Sequence, residues 1–166
     1  MLSRRGRWPL VAALAVIALV GVSLQPVTVL TMVADDGSAL ACRRMQPDST
    51  VTLVFTHSMY GGEVRETWLV DGSMLERVRI ETDNAAAAEY YAFDGRVEWS
   101  EGGFEVIAPP LAVEALPVRV DQIGQHRLRF GADEVSLADR VDGAVSATMS
   151  VTRVALVEWF LTTDCT

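Results

Sequence analysis

Between Val51 and Val70, apolar and polar residues alternate with period two on both sides of a Gly61-Gly62 pair. That pattern confines the stretch to two strands of a β-hairpin. Val51, Leu53, Phe55 and His57 share one face of the first strand. Val64, Glu66, Trp68 and Val70 share one face of the second. A histidine and a glutamate therefore occupy positions whose neighbours belong to a core. If the two glycines form a two-residue primed turn, His57 faces Glu66, Phe55 faces Trp68 and Leu53 faces Val70. A shift by two residues keeps the His57–Glu66 pair on that face. A shift by one splits both the pair and the core.

The rest of the chain carries the same signature. Val27–Ala34 and Ser38–Arg44 flank an Asp-Asp-Gly turn. Met74–Thr82 reads as a strand with Val78 and Ile80 inward and Arg77, Arg79 and Glu81 outward. Its phase requires an odd-length loop or a bulge after Val70. Asn84–Glu89 is a helical turn or an irregular crossover. Tyr90–Phe93 and Arg96–Trp99 flank Asp94-Gly95, a hairpin signal. Further strands are expected at 104–108, 117–120, 126–130, 135–137 and 145–151. Residues 153–162 fit a last strand or a closing helix. The sum is all-β: an antiparallel β-sandwich or barrel of about 8–11 short strands, preceded by one N-terminal membrane helix.

The membrane helix follows from charge. Arg4, Arg5 and Arg7 precede an apolar run from Trp8 to Leu24, and no charge appears between Arg7 and Asp35. Residues 1–26 are expected to be a signal peptide or signal anchor, with residues 27–166 as the exported domain. Cys42 and Cys165 suit an exported chain and are expected to form one disulfide.

Composition excludes several chemistries. All 14 basic residues are Arg, so lysine Schiff-base and P-loop chemistry are out. The net charge of −8 and the lack of a basic stripe argue against a nucleic-acid partner. Two Cys and two His give no zinc spacing, no calcium loop is present, and no cofactor is expected.

The candidate ligand or partner site is His57, Ser58, Tyr60 and Glu66. The plain reading is a His–Glu pair satisfying itself inside a hairpin. The functional reading is a pair lining a pocket at the end of the sheet. A serine-hydrolase triad is weak, because adjacent strand residues face opposite ways. His126 reads as a surface or rim residue. Tyr90, Tyr91 and Trp99 read as face packing or as an aromatic ligand wall.

Leu53-Val-Phe-Thr-His57-Ser58-Met-Tyr-Gly-Gly-Glu-Val-Arg-Glu66-Thr-Trp-Leu-Val resembles a bacterial family known as domain of unknown function 1850. That family has a strand ending in His-Ser, a short turn, and a Glu in the next strand. Its Gly-Ala-Gly-rich turn is replaced here by Asn84–Tyr91. The resemblance implies export, a membrane anchor and association with a TAXI-type TRAP transporter, through its permease or its solute receptor. The expected function is a non-enzymatic accessory or binding protein at the cell membrane, its C-terminal domain outside the cytoplasm, or secreted or periplasmic if cleaved. The alternatives are a hydrolase-like enzyme using His57 and Glu66 as acid and base, or a purely structural envelope protein.

Overall fold

A computed structural model describes residues 8–161. Helix α1 (Trp8–Ser23) leads into β1 (Pro26–Ala34), β2 (Ala39–Met45), β3 (Thr50–Thr56), β4 (Glu63–Asp71) and β5 (Met74–Thr82). A short helix α2 (Ala85–Tyr91) precedes β6 (Arg96–Ser100), β7 (Gly103–Ile107), β8 (Leu111–Val113) and β9 (Ala115–Val120). The chain closes with β10 (Arg127–Phe130), β11 (Asp133–Ser136), β12 (Val145–Ala155) and helix α3 (Leu156–Leu161).

Two antiparallel sheets result. The smaller runs β2-β1-β12-β9, and the larger runs β11-β10-β3-β4-β5-β7-β6, with β8 also beside β5. The sheets pack as a sandwich and do not close into a barrel. The described residues form twelve strands, just above the expected range, because Leu111–Val113 adds a short edge segment.

The inner face of the large sheet is covered in two pieces. Over one part, Leu30, Met32, Leu40 and Met149 of the small sheet meet Val51, Leu53, Trp68, Val70 and Leu75. Over the other, Ala87 and Ala88 of α2 lie on Val64, Ile80 and Val106. Strand β4 runs through both, burying every second residue. Val64 belongs to the helix-covered core and Trp68 to the inter-sheet core. Glu66 sits between them, at the seam.

The opening hairpin forms, but its register differs. Leu53, not His57, lies opposite Glu66, and Val51 lies opposite Trp68. The two-residue turn gives way to a loop of residues 57–62. The His57 side chain causes this: its Nδ1 accepts the backbone N–H groups of Met59 and Tyr60, each at 3.2 Å. The chain therefore curls before it reaches the glycines. His57 N–H then donates to the Gly62 carbonyl at 3.0 Å, and Gly61 N–H to the His57 carbonyl at 2.9 Å. The displacement is an even number of residues, so every side chain keeps its face.

Two other expectations change. Tyr90 and Tyr91 are helical, not the strand partners of Trp99, which pairs with Phe104 instead. The alanine run favours helix, and Asn84 caps it by accepting from Ala86 N–H and Ala87 N–H at 2.9 and 3.1 Å. In β5 the required phase change is a bulge: Thr67 faces Arg79, while Trp68 faces Arg77. Val78 is the extra residue and is half exposed, at 50%. Arg77, expected outward, lies opposite the buried Trp68 and is partly covered.

Residues 153–162, left open between strand and helix, extend β12 to Ala155 and then turn into α3. The expected membrane helix is a 16-residue helix. Its rise is about 24 Å, short of a bilayer core of about 30 Å. Among the described residues no helix is long and apolar enough to cross a membrane. Cys42 lies on β2, partly buried; Cys165, the other end of the expected disulfide, lies outside the described residues.

Candidate functional site

A cavity of about 450 Å³ opens at the seam. Its walls come from the end of β3 with the loop after it, from Glu66, from Tyr90 and Tyr91 of α2, from Leu116–Arg119 of β9, and from the segment between Asp121 and His126. Three of the expected site residues, His57, Ser58 and Glu66, line it together. Tyr60 lies just outside and stacks on the His57 ring, centroids 5.0 Å apart.

His57 is buried and boxed by aromatic rings. Tyr90 and Tyr91 meet it edge-on at 5.2 and 5.9 Å. Because Nδ1 accepts two backbone N–H groups, the remaining ring N–H is on Nε2. The loop that carries the ring is held from outside. Asn84 Nδ2 donates to the Tyr60 carbonyl at 3.0 Å, and Glu63 N–H to Asp83 Oδ1 at 2.9 Å. Gly62, at φ +78°, packs so tightly that a Cβ there would fall 2.5 Å from Asn84 Cβ.

His126 is the site residue that sequence reasoning missed. It is 8% exposed, not a rim residue. It stacks on Phe55 with centroids 5.5 Å apart and planes 13° apart. Gly124 lets the chain close over it, since a Cβ there would lie 2.2 Å from His126 Cε1. The loop is tied by Gly124 N–H to Asp121 Oδ1 at 2.6 Å, and by Thr56 N–H to the Gly124 carbonyl at 2.7 Å. That last bond joins the segments carrying the two histidines. Burial pushes the His126 ring below its ordinary titration range, against the opposing pull of Asp121. A Gly-x-His spacing after an Asp was the visible hint, but a turn glycine alone does not announce a covered ring.

Glu66 is the electrostatic oddity. It is 8% exposed. Burial raises its pKa above the ordinary carboxylate range, and nearby Arg77 only partly offsets this. The Trp68 indole pulls the same way as Arg77, yet its Nε1 is buried with no hydrogen-bond partner. Burial, and then the charge of Glu66, raise the Tyr91 hydroxyl as well. Glu63, on the opposite face of the same strand, behaves differently. Burial raises its pKa too, but hydrogen bonds from Arg65 at 3.0 Å and Arg127 at 2.7 Å outweigh that and hold it low. No such partner reaches Glu66 among the described residues.

Among the described residues no hydrogen bond joins Ser58 to His57, and none joins His57 to Glu66; the His57 Nδ1 is occupied by backbone. Nor does any group of three or more His, Cys, Asp or Glu side chains among the described residues have the geometry to hold a metal ion. What remains is a concave surface of aromatic and aliphatic walls with two ring N–H donors and one buried acidic acceptor. That composition suits small-molecule binding. Comparison with known proteins supplies no relative: no family model matches the chain, and neither a curated protein nor a solved structure is similar to it.

Proposed function

We propose that the protein is a non-enzymatic binding protein that holds a small molecule in the seam cleft, with Glu66, His57 and His126 as its polar contacts. The observation that carries this reading is the buried Glu66 carboxyl on the wall of the 450 Å³ cavity, with which no cation forms an ion pair among the described residues. A structural glutamate is ordinarily paired when buried, because leaving it unpaired costs about 1–3 kcal/mol. A purely structural envelope role gives no reason to keep that cost. The hydrolase alternative lacks a nucleophile bonded to the base.

The test is a fragment screen by ligand-observed NMR on the intact protein, repeated on Glu66→Gln and on His126→Phe. Binders whose signals weaken in both variants support the cleft. A screen without binders, or binders indifferent to both substitutions, removes this reading.

Attachment to the outer side of the cell membrane through the N-terminal segment belongs to the same proposal. It is supported by α1, which is uncharged and whose residues 11–22 all lie exposed. Partnership with a TRAP-type transporter rests on the family resemblance at His57-Ser58 and Glu66. Affinity purification from the native membrane checks it: recovery of a permease or solute receptor supports the partnership, and recovery of neither removes it.

A further inference from the structure

The cleft also constrains the charge of what it takes. Glu66 lines it without an ion pair among the described residues, the nearby Arg77 charge only partly offsetting its burial. Arg77, on the same face of the sheet, donates to the Pro109 carbonyl at 3.3 Å and makes no ion pair with Glu66 among the described residues. Arg119 at the rim is 77% exposed and spends its charge on Asp121, 3.9 Å away. Of the two carboxyls on the wall, Asp121 has an ion pair and Glu66 has none among the described residues.

The surroundings of that carboxyl are aromatic and aliphatic. Tyr91 lies close enough to feel its charge, with Tyr90 against Tyr91 at 5.4 Å and Phe55 diagonal to Glu66 on the neighbouring strand. Leu53, directly across the strand pair from Glu66, and Leu116 supply apolar surface. A desolvated carboxylate among ring faces recognises a protonated amine: the charge pair strengthens as water leaves, and the ring quadrupoles attract the same cation. An anion would meet Glu66 head-on. A purely apolar molecule would leave the carboxyl unpaired. The net charge of −8 adds a long-range field that draws cations and repels anions.

Resting on the ligand-binding reading of the cleft, we infer that its ligand is a small organic amine, whose ammonium pairs with Glu66 and whose apolar body lies along Leu53, Phe55 and Leu116. The Nε2–H group of His57, and that of His126, whose Nδ1 accepts the Asp121 N–H at 3.5 Å, then serve an acceptor atom on the ligand, such as a hydroxyl or carbonyl oxygen. No bond is made or broken.

Three probes that share a phenylethyl body and differ in charge test this by calorimetric titration of the full chain: 2-phenylethylammonium, 2-phenylethanol and 3-phenylpropionate. The ammonium is expected to bind at least tenfold tighter than the alcohol, and the carboxylate to be weakest. Glu66→Gln should bring ammonium and alcohol within about threefold of each other. Tyr90→Ala, at a helix end where Tyr90 is 58% exposed, keeps the test open if Glu66→Gln does not fold. It should weaken the ammonium several-fold while changing the alcohol little. Equal binding of ammonium and alcohol, or preference for the carboxylate, overturns the amine class while leaving the cleft a ligand site. Failure of all three probes to bind up to millimolar concentration also overturns it, and the fragment screen then decides separately whether the cleft binds anything.

Discussion

At the scale of single residues, the two glutamates of β4 carry opposite electrostatics three positions apart. Glu63 is held ionised by two arginines, while Glu66 is pushed toward its protonated form by burial. An acid whose folded pKa is raised binds more protons folded than unfolded. Its contribution is therefore fully present below the ordinary value of 4.5 and is lost as pH rises through the raised value. Glu66→Gln should accordingly stabilise the fold at neutral pH by about 1–3 kcal/mol, read as a higher Tm, and lose that advantage near pH 4. Thermal melts across this range check it; a constant difference at all pH values contradicts the burial argument. His126 has the opposite slope. With its folded pKa lowered, its contribution is present above the ordinary 6.5 and is lost as pH falls. His57 acts mainly through Nδ1. His57→Leu removes the acceptor for two N–H groups and should cost about 1–3 kcal/mol in chemical denaturation, whereas His57→Asn, able to accept from the same turn, should cost less.

At the scale of elements, alternation and turn residues made most strands legible. Val64–Val70 and Val145–Val151 bury the face that the pattern assigns, as do Val51 and Leu53, although Val54 on the other face is buried too. Two things were not legible. A turn made by a histidine side chain looks in sequence like the tail of a strand, so the glycine pair drew the register. Tyr90–Phe93 looked like a strand because aromatic residues favour sheets, but the preceding alanines and the Asn84 cap commit the segment to helix. Of the site, His57 and Glu66 could be found because they break an apolar face. His126 stood next to two arginines with nothing to mark its burial. The cap is testable: Asn84→Ala removes the acceptor for Ala86 and Ala87 and the donor to Tyr60, so it should cost about 1 kcal/mol or somewhat more. Because Asn84 also clamps the loop bearing His57, the same variant should weaken probe binding in the cleft.

At the scale of the whole molecule, the large sheet holds two cores of unequal size, and Glu66 marks where they meet. The helix-covered core has five buried members, Val64, Ile80, Ala87, Ala88 and Val106, two of them alanines that bring little apolar area. Its neighbour rests on Trp68 and on a full second sheet. Such a difference makes α2 open at a lower free energy than the strands of the inter-sheet core. Since Tyr90 and Tyr91 ride on α2, wall the cleft and pack on His57, each such opening loosens that wall and the cover of the His57 ring. In amide hydrogen exchange, α2 should trade its protons well before β1, β4 and β12, and a bound ligand should slow α2 most. The smaller core thereby sets the stability of one wall of the cleft: loosening one short helix reshapes the cavity while the two-sheet core stays intact.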